Sequence, residues 1–167
     1  HIPPGTHLIA GLDPASTGFQ ACVLWAANPE TGQLFLVDIE NEEGGGVIQA
    51  RESIKKWYEM YGLAHWVIEE NGFQKAIRQD EKIKDYCARF GIYTEGHQTQ
   101  RNKFDPIFGV GSMAQLFKEQ LINLPYGDTD SEIKSNIYRR QLIYFSSAAN
   151  KAKSNKGYKS DVVMASW

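Results

Sequence analysis

Apolar and polar positions alternate at strand spacing early in the chain and shift to helical spacing later. Leu8, Ile9 and Leu12 mark His7–Asp13 (HLIAGLD) as a buried strand. It leaves the core at Asp13, where Pro14 and small residues turn the chain as far as Gly18. Gln20–Ala27 (QACVLWAA) reads as a second strand and Leu34–Ile39 (LFLVDI) as a third, joined by the turn NPETGQ. Short connections make these three an antiparallel meander. Asn41–Gly46 (NEEGGG) reads as a flexible loop. Val47, Ile48, Ile54, Trp57, Tyr58 and Tyr61 then fall near one face of a helix over 47–61, which Gly62 ends.

Ala64–Ile68 (AHWVI) predicts a fourth strand, running into Glu69, Glu70 and Asn71. A helical region of one or two pieces follows from Gly72 to about Phe90, closed by Gly91, and Ile92–His97 is a fifth strand. Thr99–Phe108 is a polar, basic loop. Helices are predicted over Val110–Gln120 and Asp130–Phe145, separated by a short extended piece at Leu121–Leu124 and a turn at Pro125–Thr129. Ser146–Ser160, rich in Lys, Ser and Asn, reads as an exposed loop, and Asp161–Trp167 resumes as a helix. No internal repeat is visible. Three antiparallel strands followed by alternating helices and strands is the order of the ribonuclease-H-like fold. The expectation is an α/β domain with a mixed five-stranded sheet and helices on both faces. A doubly wound nucleotide-binding fold fits less well, because it needs crossover helices between its early strands.

The 167 residues suit one domain with a proper core, and 42% hydrophobic with 23% charged residues is ordinary for a globular protein. A formal net charge of −2 excludes a globally basic nucleic-acid binder, so such a partner has to be held by local patches. Cys22 and Cys87 stand far apart with no signal peptide, which points to a reducing, intracellular setting without a disulfide framework. No apolar run approaches membrane-spanning length, and no membrane partner is expected. His1–Gly5 has no structural pattern and the chain stops at Trp167 within a helical run, so it reads as part of a longer polypeptide or as a chain with disordered ends left out.

Three acids stand at element ends. Asp13 ends the first strand, Glu69 ends the fourth, which should lie beside the first, and Asp161 opens the last helix. Singly, each has a plainer reading: a turn-capping Asp, a solvated strand end, a carboxylate at a helix N-terminus. Jointly, the topology favours a site. Hard oxygen ligands without His or Cys suit Mg²⁺ or Mn²⁺ rather than Zn²⁺. Shared carboxylates can hold two ions about 3.5–4 Å apart, the arrangement of phosphodiester hydrolysis. Glu69 is preferred to Glu70 because it is in register with the strand and forms Glu-x-Asn with Asn71; Glu70 and Asn71 are supporting groups behind it. Asp38, late in the third strand, is an additional ligand or, more simply, a surface strand residue.

The segments GLDPAS (11–16), VIEENGFQ (67–74) and SDVVMASW (160–167) resemble the three acidic motifs of the nuclease domain of tailed-phage terminase large subunits. HQTQRNKFDPIFGVGSMAQLFKEQLINLP (97–125) resembles the loop and helix between them in that family. The resemblance covers nearly the whole chain. It implies a Mg²⁺- or Mn²⁺-dependent endonuclease that cuts concatemeric double-stranded viral DNA during packaging, with Asp13, Glu69 and Asp161 as metal ligands. It also implies a preceding P-loop ATPase domain, a small terminase subunit and a portal as partners, and a place in the host cell cytoplasm. No G-x-x-x-x-G-K-[ST] occurs in this chain. Many members carry a second acid shortly after the third motif's Asp. Val162, Val163 and Met164 stand there instead, which leaves a fourth ligand unassigned.

Candidate phosphate contacts are Arg101 and Lys103 in the polar loop, and Lys151, Lys153, Lys156 and Lys159 before the third motif. For the Lys-rich stretch a solubilising loop is an equal reading. Arg139 and Arg140 read as a solvated helix face, and the Tyr and Trp residues as core rather than stacking platforms. His97 is open to proton transfer or phosphate contact, though a lone His is more often structural. Two other classes compete: a different nuclease of the same fold, such as a junction resolvase or ribonuclease H, and a non-catalytic nucleic-acid-binding or ATPase domain.

Overall fold

The computed structural model describes residues 2–15, 18–70, 74–98, 110–145 and 161–166, with the backbone alone for Gln74, Tyr144 and Asp161. Strands β1 (His7–Asp13), β2 (Phe19–Ala27) and β3 (Leu34–Glu43) form the expected antiparallel meander. The β2–β3 turn closes through Asn28, whose Oδ1 accepts the N–H groups of Glu30 and Thr31, and through Gly32 at φ 70°. Helix α1 (Val47–Tyr61) follows, ended by Gly62 in the left-handed region with its N–H on Trp57 and Tyr58 carbonyls. Strand β4 (His65–Glu69) returns parallel to β1. Helices α2 (Gln74–Gln79) and α3 (Glu81–Phe90) are the two pieces of the predicted helical region. Asp80 separates them because its carboxylate caps α3, accepting from the Ile83 N–H at 2.9 Å. Strand β5 (Tyr93–His97) pairs parallel with β4.

A short 3₁₀ turn at Val110–Ser112 leads into α4 (Met113–Lys118). Strand β6 (Ile122–Asn123), α5 (Thr129–Tyr144) and α6 (Asp161–Ser166) complete the chain. The sheet has six strands in the order β5-β4-β1-β2-β3-β6, not five. The added strand is the short extended piece after α4. Leu34 and Phe35 pair with Ile122 and Asn123, and the Leu34 N–H reaches the Leu121 carbonyl at 2.7 Å. β3 also runs to Glu43, so Asn41–Glu43 belong to the sheet and not to a loop.

Alternation along the strands divides the core in two. Ala10, Leu12, Cys22, Leu24, Trp66 and Ile68 face α1, α2 and α3, where Trp57 stacks on Trp66 with ring centroids 5.4 Å apart. Ala21, Val23, Trp25, Leu36 and Ile39 face α4, α5 and α6, where Trp25 meets Tyr138 edge-on at 5.7 Å. Helices therefore cover both faces, as expected. Among the described residues Trp25, Trp57, Trp66 and Tyr138 are buried in the core, while Phe90, Tyr93 and Tyr126 are exposed. Cys22 and Cys87 are free and buried. Among the described residues no helix is long and apolar enough to cross a membrane.

Asp38 departs from the surface position expected of it: it is buried. Its carboxylate accepts from the Tyr61 hydroxyl at 2.7 Å and from the Ile39 N–H at 2.7 Å, and lies 2.7 Å from Lys134 Nζ. Its partners come from α1 and α5, on opposite faces of the sheet. The three groups meet along β3 beyond its short pairing with β6, so Asp38 ties the two helical layers together.

Candidate active site

Strand register decides which acids can act together. The β1–β4 pairing ends at Leu12 opposite Ile68, and one place further sets Asp13 opposite Glu69. Glu69 pairs with His97 of β5, while on the other side Asp13 pairs with Ala21 and Ala21 with Asn41. By alternation from Gly11, Val23, Ile39 and Val67, all five stand on the α6 face. Asn41, Ala21, Asp13, Glu69 and His97 thus form one row across five strands, at the carboxyl ends of β1, β3, β4 and β5. Asp13 and Glu69 are half-buried and His97 is exposed.

Glu70 faces the other way. It pairs with Arg78 of α2, whose second nitrogen reaches the Thr94 carbonyl at 3.4 Å, and the Glu70 N–H bonds to the His97 carbonyl at 2.7 Å. Gly96 leaves room for this pair: a Cβ there would stand 2.3 Å from both side chains. Glu70 therefore fixes the ends of β4 and β5 against α2 from beneath the row.

The third acid arrives on α6. A Cβ on Gly11 would stand 1.6 Å from the Ala165 carbonyl oxygen, so the helix packs directly on the β1 backbone. Val162 and Val163 are fully buried, and the Val162 N–H is capped by Gln141 Oε1 of α5 at 2.8 Å. Asp161 is the first residue of this helix. A cavity of about 160 Å³ lies between α6 and the strands, lined by Gly11, Val67, Glu69, His97, Met164 and Ser166 among others.

The turn after Asp13 is also held. The Gly46 N–H bonds to the Ala15 carbonyl at 2.8 Å and the Gly44 N–H to the Gly18 carbonyl at 2.7 Å. Gly45, at φ 130°, leaves no room for a Cβ, which would stand 2.1 Å from the Ala15 oxygen. The glycine run is therefore a clamp on the β1–β2 turn rather than a free loop.

Among the described residues no three His, Cys, Asp or Glu side chains form a ready ion-holding group. The Asp161 side chain, Asn71, Arg101, Lys103, Lys151, Lys153, Lys156 and Lys159 lie outside those residues. Arg139 and Arg140 are exposed on α5. Sequence patterns alone passed over Asn41, because NEEGGG reads as a loop; the signal was its place two residues after Ile39, one strand period further along the same face.

No family model and no curated protein matches the chain. Solved structures do match it in shape. The large terminase nuclease from thermophilic phage G20c superposes with a TM-score of 0.60 at 16% identity, over 98% of this chain and 81% of that one. The large terminase of a second thermophilic bacteriophage gives 0.55 at 11% identity over 85% of this chain, which spans 32% of that longer protein. Thermus thermophilus RuvC gives 0.51 at 11% identity, over 81% of this chain and 94% of that one. At such identities the likeness is one of fold: the chain has the ribonuclease-H-like fold that these large terminases and RuvC share.

Proposed function

We propose that this chain is the nuclease domain of a phage terminase large subunit, an endonuclease that cuts concatemeric double-stranded viral DNA with Mg²⁺ or Mn²⁺. The observation that carries the reading is the in-register pair Asp13 and Glu69, on the strand face where the helix opening at Asp161 is docked. The fold likeness to two large terminases and the order of the three acidic motifs support it.

The donor set fits a hard divalent cation. Asp13, Glu69 and Asp161 supply oxygens only, from three separate elements whose backbones are held by packing, as Mg²⁺ and Mn²⁺ sites require. When bound, a pair of such ions activates a water and stabilises the leaving oxygen of a phosphodiester. The chain's own part is placement. The glycine clamp on the β1–β2 turn fixes the end of β1. The Glu70–Arg78 pair fixes the end of β4. Gly11 and Gln141 seat α6. Arg101, Lys103, Lys156 and Lys159 are assigned to DNA phosphates, where they offset the acids' repulsion of the backbone. Asn71 is assigned a supporting role beside Glu69. In the full-length protein the partners are an ATPase domain, the small terminase subunit and the portal, and the setting is the host cell cytoplasm.

Incubating plasmid DNA with the chain in Mg²⁺, Mn²⁺, Ca²⁺ or EDTA, with Asp13→Asn alongside, tests the proposal. Cleavage in Mg²⁺ or Mn²⁺ that is lost in EDTA and in the variant supports it. A folded chain that neither cuts DNA nor binds either ion overturns it in favour of a binding role. The likeness to RuvC, of which this chain spans 94%, favours a second reading as a junction resolvase. Preference for a four-way junction over linear duplex would select it.

A further inference from the structure

Five buried side-chain polar atoms among the described residues meet no hydrogen-bond partner: Gln20 Oε1, Asn41 Oδ1, Arg51 Nε, Trp66 Nε1 and Arg78 Nε. Four of them lie toward the α1–α3 layer. Gln20 donates to Ser53 of α1, Trp66 stacks on Trp57, Arg51 belongs to α1 and Arg78 to α2. Asn41 Oδ1 alone belongs to the other face, in the row that contains Asp13 and Glu69. A buried amide oxygen without a donor keeps its full desolvation penalty, and unexplained cases in folded proteins point to a strain reservoir, a functional role or an absent water or ion.

We propose that Asn41 is a further oxygen of the metal site, accepting a hydrogen bond from water bound to the ion that Asp13, Glu69 and Asp161 hold. Both side chains stand on one face of the sheet with backbones roughly 10 Å apart, and a bound water adds a hydrogen-bond length of about 2.8 Å to the reach of the Asn41 amide. Mg²⁺ keeps several of its waters, so such a partner has something to hold. Ala21, between the two residues in the row, presents only a methyl group and is buried in the cluster that holds Val162, the residue after Asp161. The assignment answers the question left by Val162, Val163 and Met164, where a fourth acid is missing. It rests on the metal-nuclease reading above.

The test is Mn²⁺ titration of the intact chain by calorimetry, with unfolding followed in EDTA. Asn41→Ala should weaken Mn²⁺ binding roughly tenfold, as removal of a group behind a metal's ligands does. Its unfolding transition in EDTA should be no lower than wild type, because the orphaned oxygen is gone. Asn41→Asp, which keeps an acceptor there, should restore the affinity or exceed it. Wild-type affinity in Asn41→Ala, with binding lost in Asp13→Asn, overturns the Asn41 assignment and leaves the metal site standing. Absence of Mn²⁺ binding by the folded wild type overturns the metal reading and this inference with it.

Discussion

The Ala165 carbonyl oxygen occupies the space where a side chain on Gly11 would begin, 1.6 Å from the position of its Cβ. The obstacle is backbone and cannot swing aside. Even one methyl group on Gly11 has to push α6 off β1. Overpacking a core ordinarily costs about 1–3 kcal/mol, and Gly11→Ala should reach at least the upper end. The strands should survive, since the β1–β2 and β1–β4 ladders do not depend on α6. The expected result is a lower unfolding temperature with native-like circular dichroism, rapid amide exchange at Val162–Ala165, and no DNA cleavage. Unchanged exchange in Gly11→Ala would show that α6 can shift without cost.

Glu69 and Glu70 are adjacent acids with opposite placements, and they should fail differently. Glu69→Gln removes a proposed ligand while leaving β4 intact. Cleavage should fall by more than the roughly 10–100-fold typical of losing a group behind the ligands, with little change in stability. Glu70→Gln leaves Arg78 without its counter-charge under Gly96. A loss of about 1–3 kcal/mol is expected, with cleavage reduced only in proportion to the folded fraction. Paired measurements of unfolding and plasmid cleavage separate the two. If Glu70→Gln were stable and inactive, the acid in the site would be Glu70.

How much of this was legible in the sequence depended on where the deciding contact lay. Local periodicity located every strand of the meander, the helices closed by Gly62 and Gly91, and the strand register of Glu69, because Val67 and Glu69 share one face while Ile68 and Glu70 share the other. β6 was visible only as an extended piece, since two residues carry no period and the pairing with Leu34 is non-local. Asp38 was misplaced because an acid in a strand is usually solvated, and nothing local reveals partners arriving from helices on both sides of the sheet. Gly11 gave a hint, a residue without a side chain inside an apolar strand, but the approach of Ala165 is tertiary. The expected phosphate contacts fall outside the described residues; of the expected acids, the strand register describes Asp13 and Glu69.

The Asp38 tie makes stability sensitive to alkali. The Tyr61 phenol is pushed well above its ordinary range, first by burial and then by its hydrogen bond to Asp38. Burial pulls Lys134 down, but hydrogen bonds to Asp130 and Asp38 outweigh it and hold the ammonium well above its usual range. Both folded pKa values exceed the unfolded ones. Their stabilising contributions are therefore complete below about pH 10 and are lost as the pH rises through the folded values. Denaturant unfolding should show stability falling above about pH 10. Asp38→Asn should cost about 1–3 kcal/mol at neutral pH and flatten that alkaline fall. An equally steep decline in the variant would assign the effect to other groups.

Gln141 holds the start of α6 from a different element. Its Oε1 accepts the Val162 N–H at 2.8 Å, one of the helix-initial donors that no carbonyl within the helix can satisfy. A helix of six residues is far below the length that sustains itself, so α6 persists through its packing and this bond. Gln141→Met keeps the apolar stem and removes the acceptor, leaving a buried N–H unpaired at a cost of about 1–2 kcal/mol. Because α6 is attached to the strands through Gly11 and two buried valines, the loss should appear locally before it appears globally. Amide exchange at Val162–Ala165 should quicken about tenfold while the β2 core remains protected. Gln141→Glu keeps an acceptor at the helix N-terminus and should retain protection. If exchange in Gln141→Met matched wild type, the bond would be dispensable, and packing on Gly11 alone would hold α6 on β1.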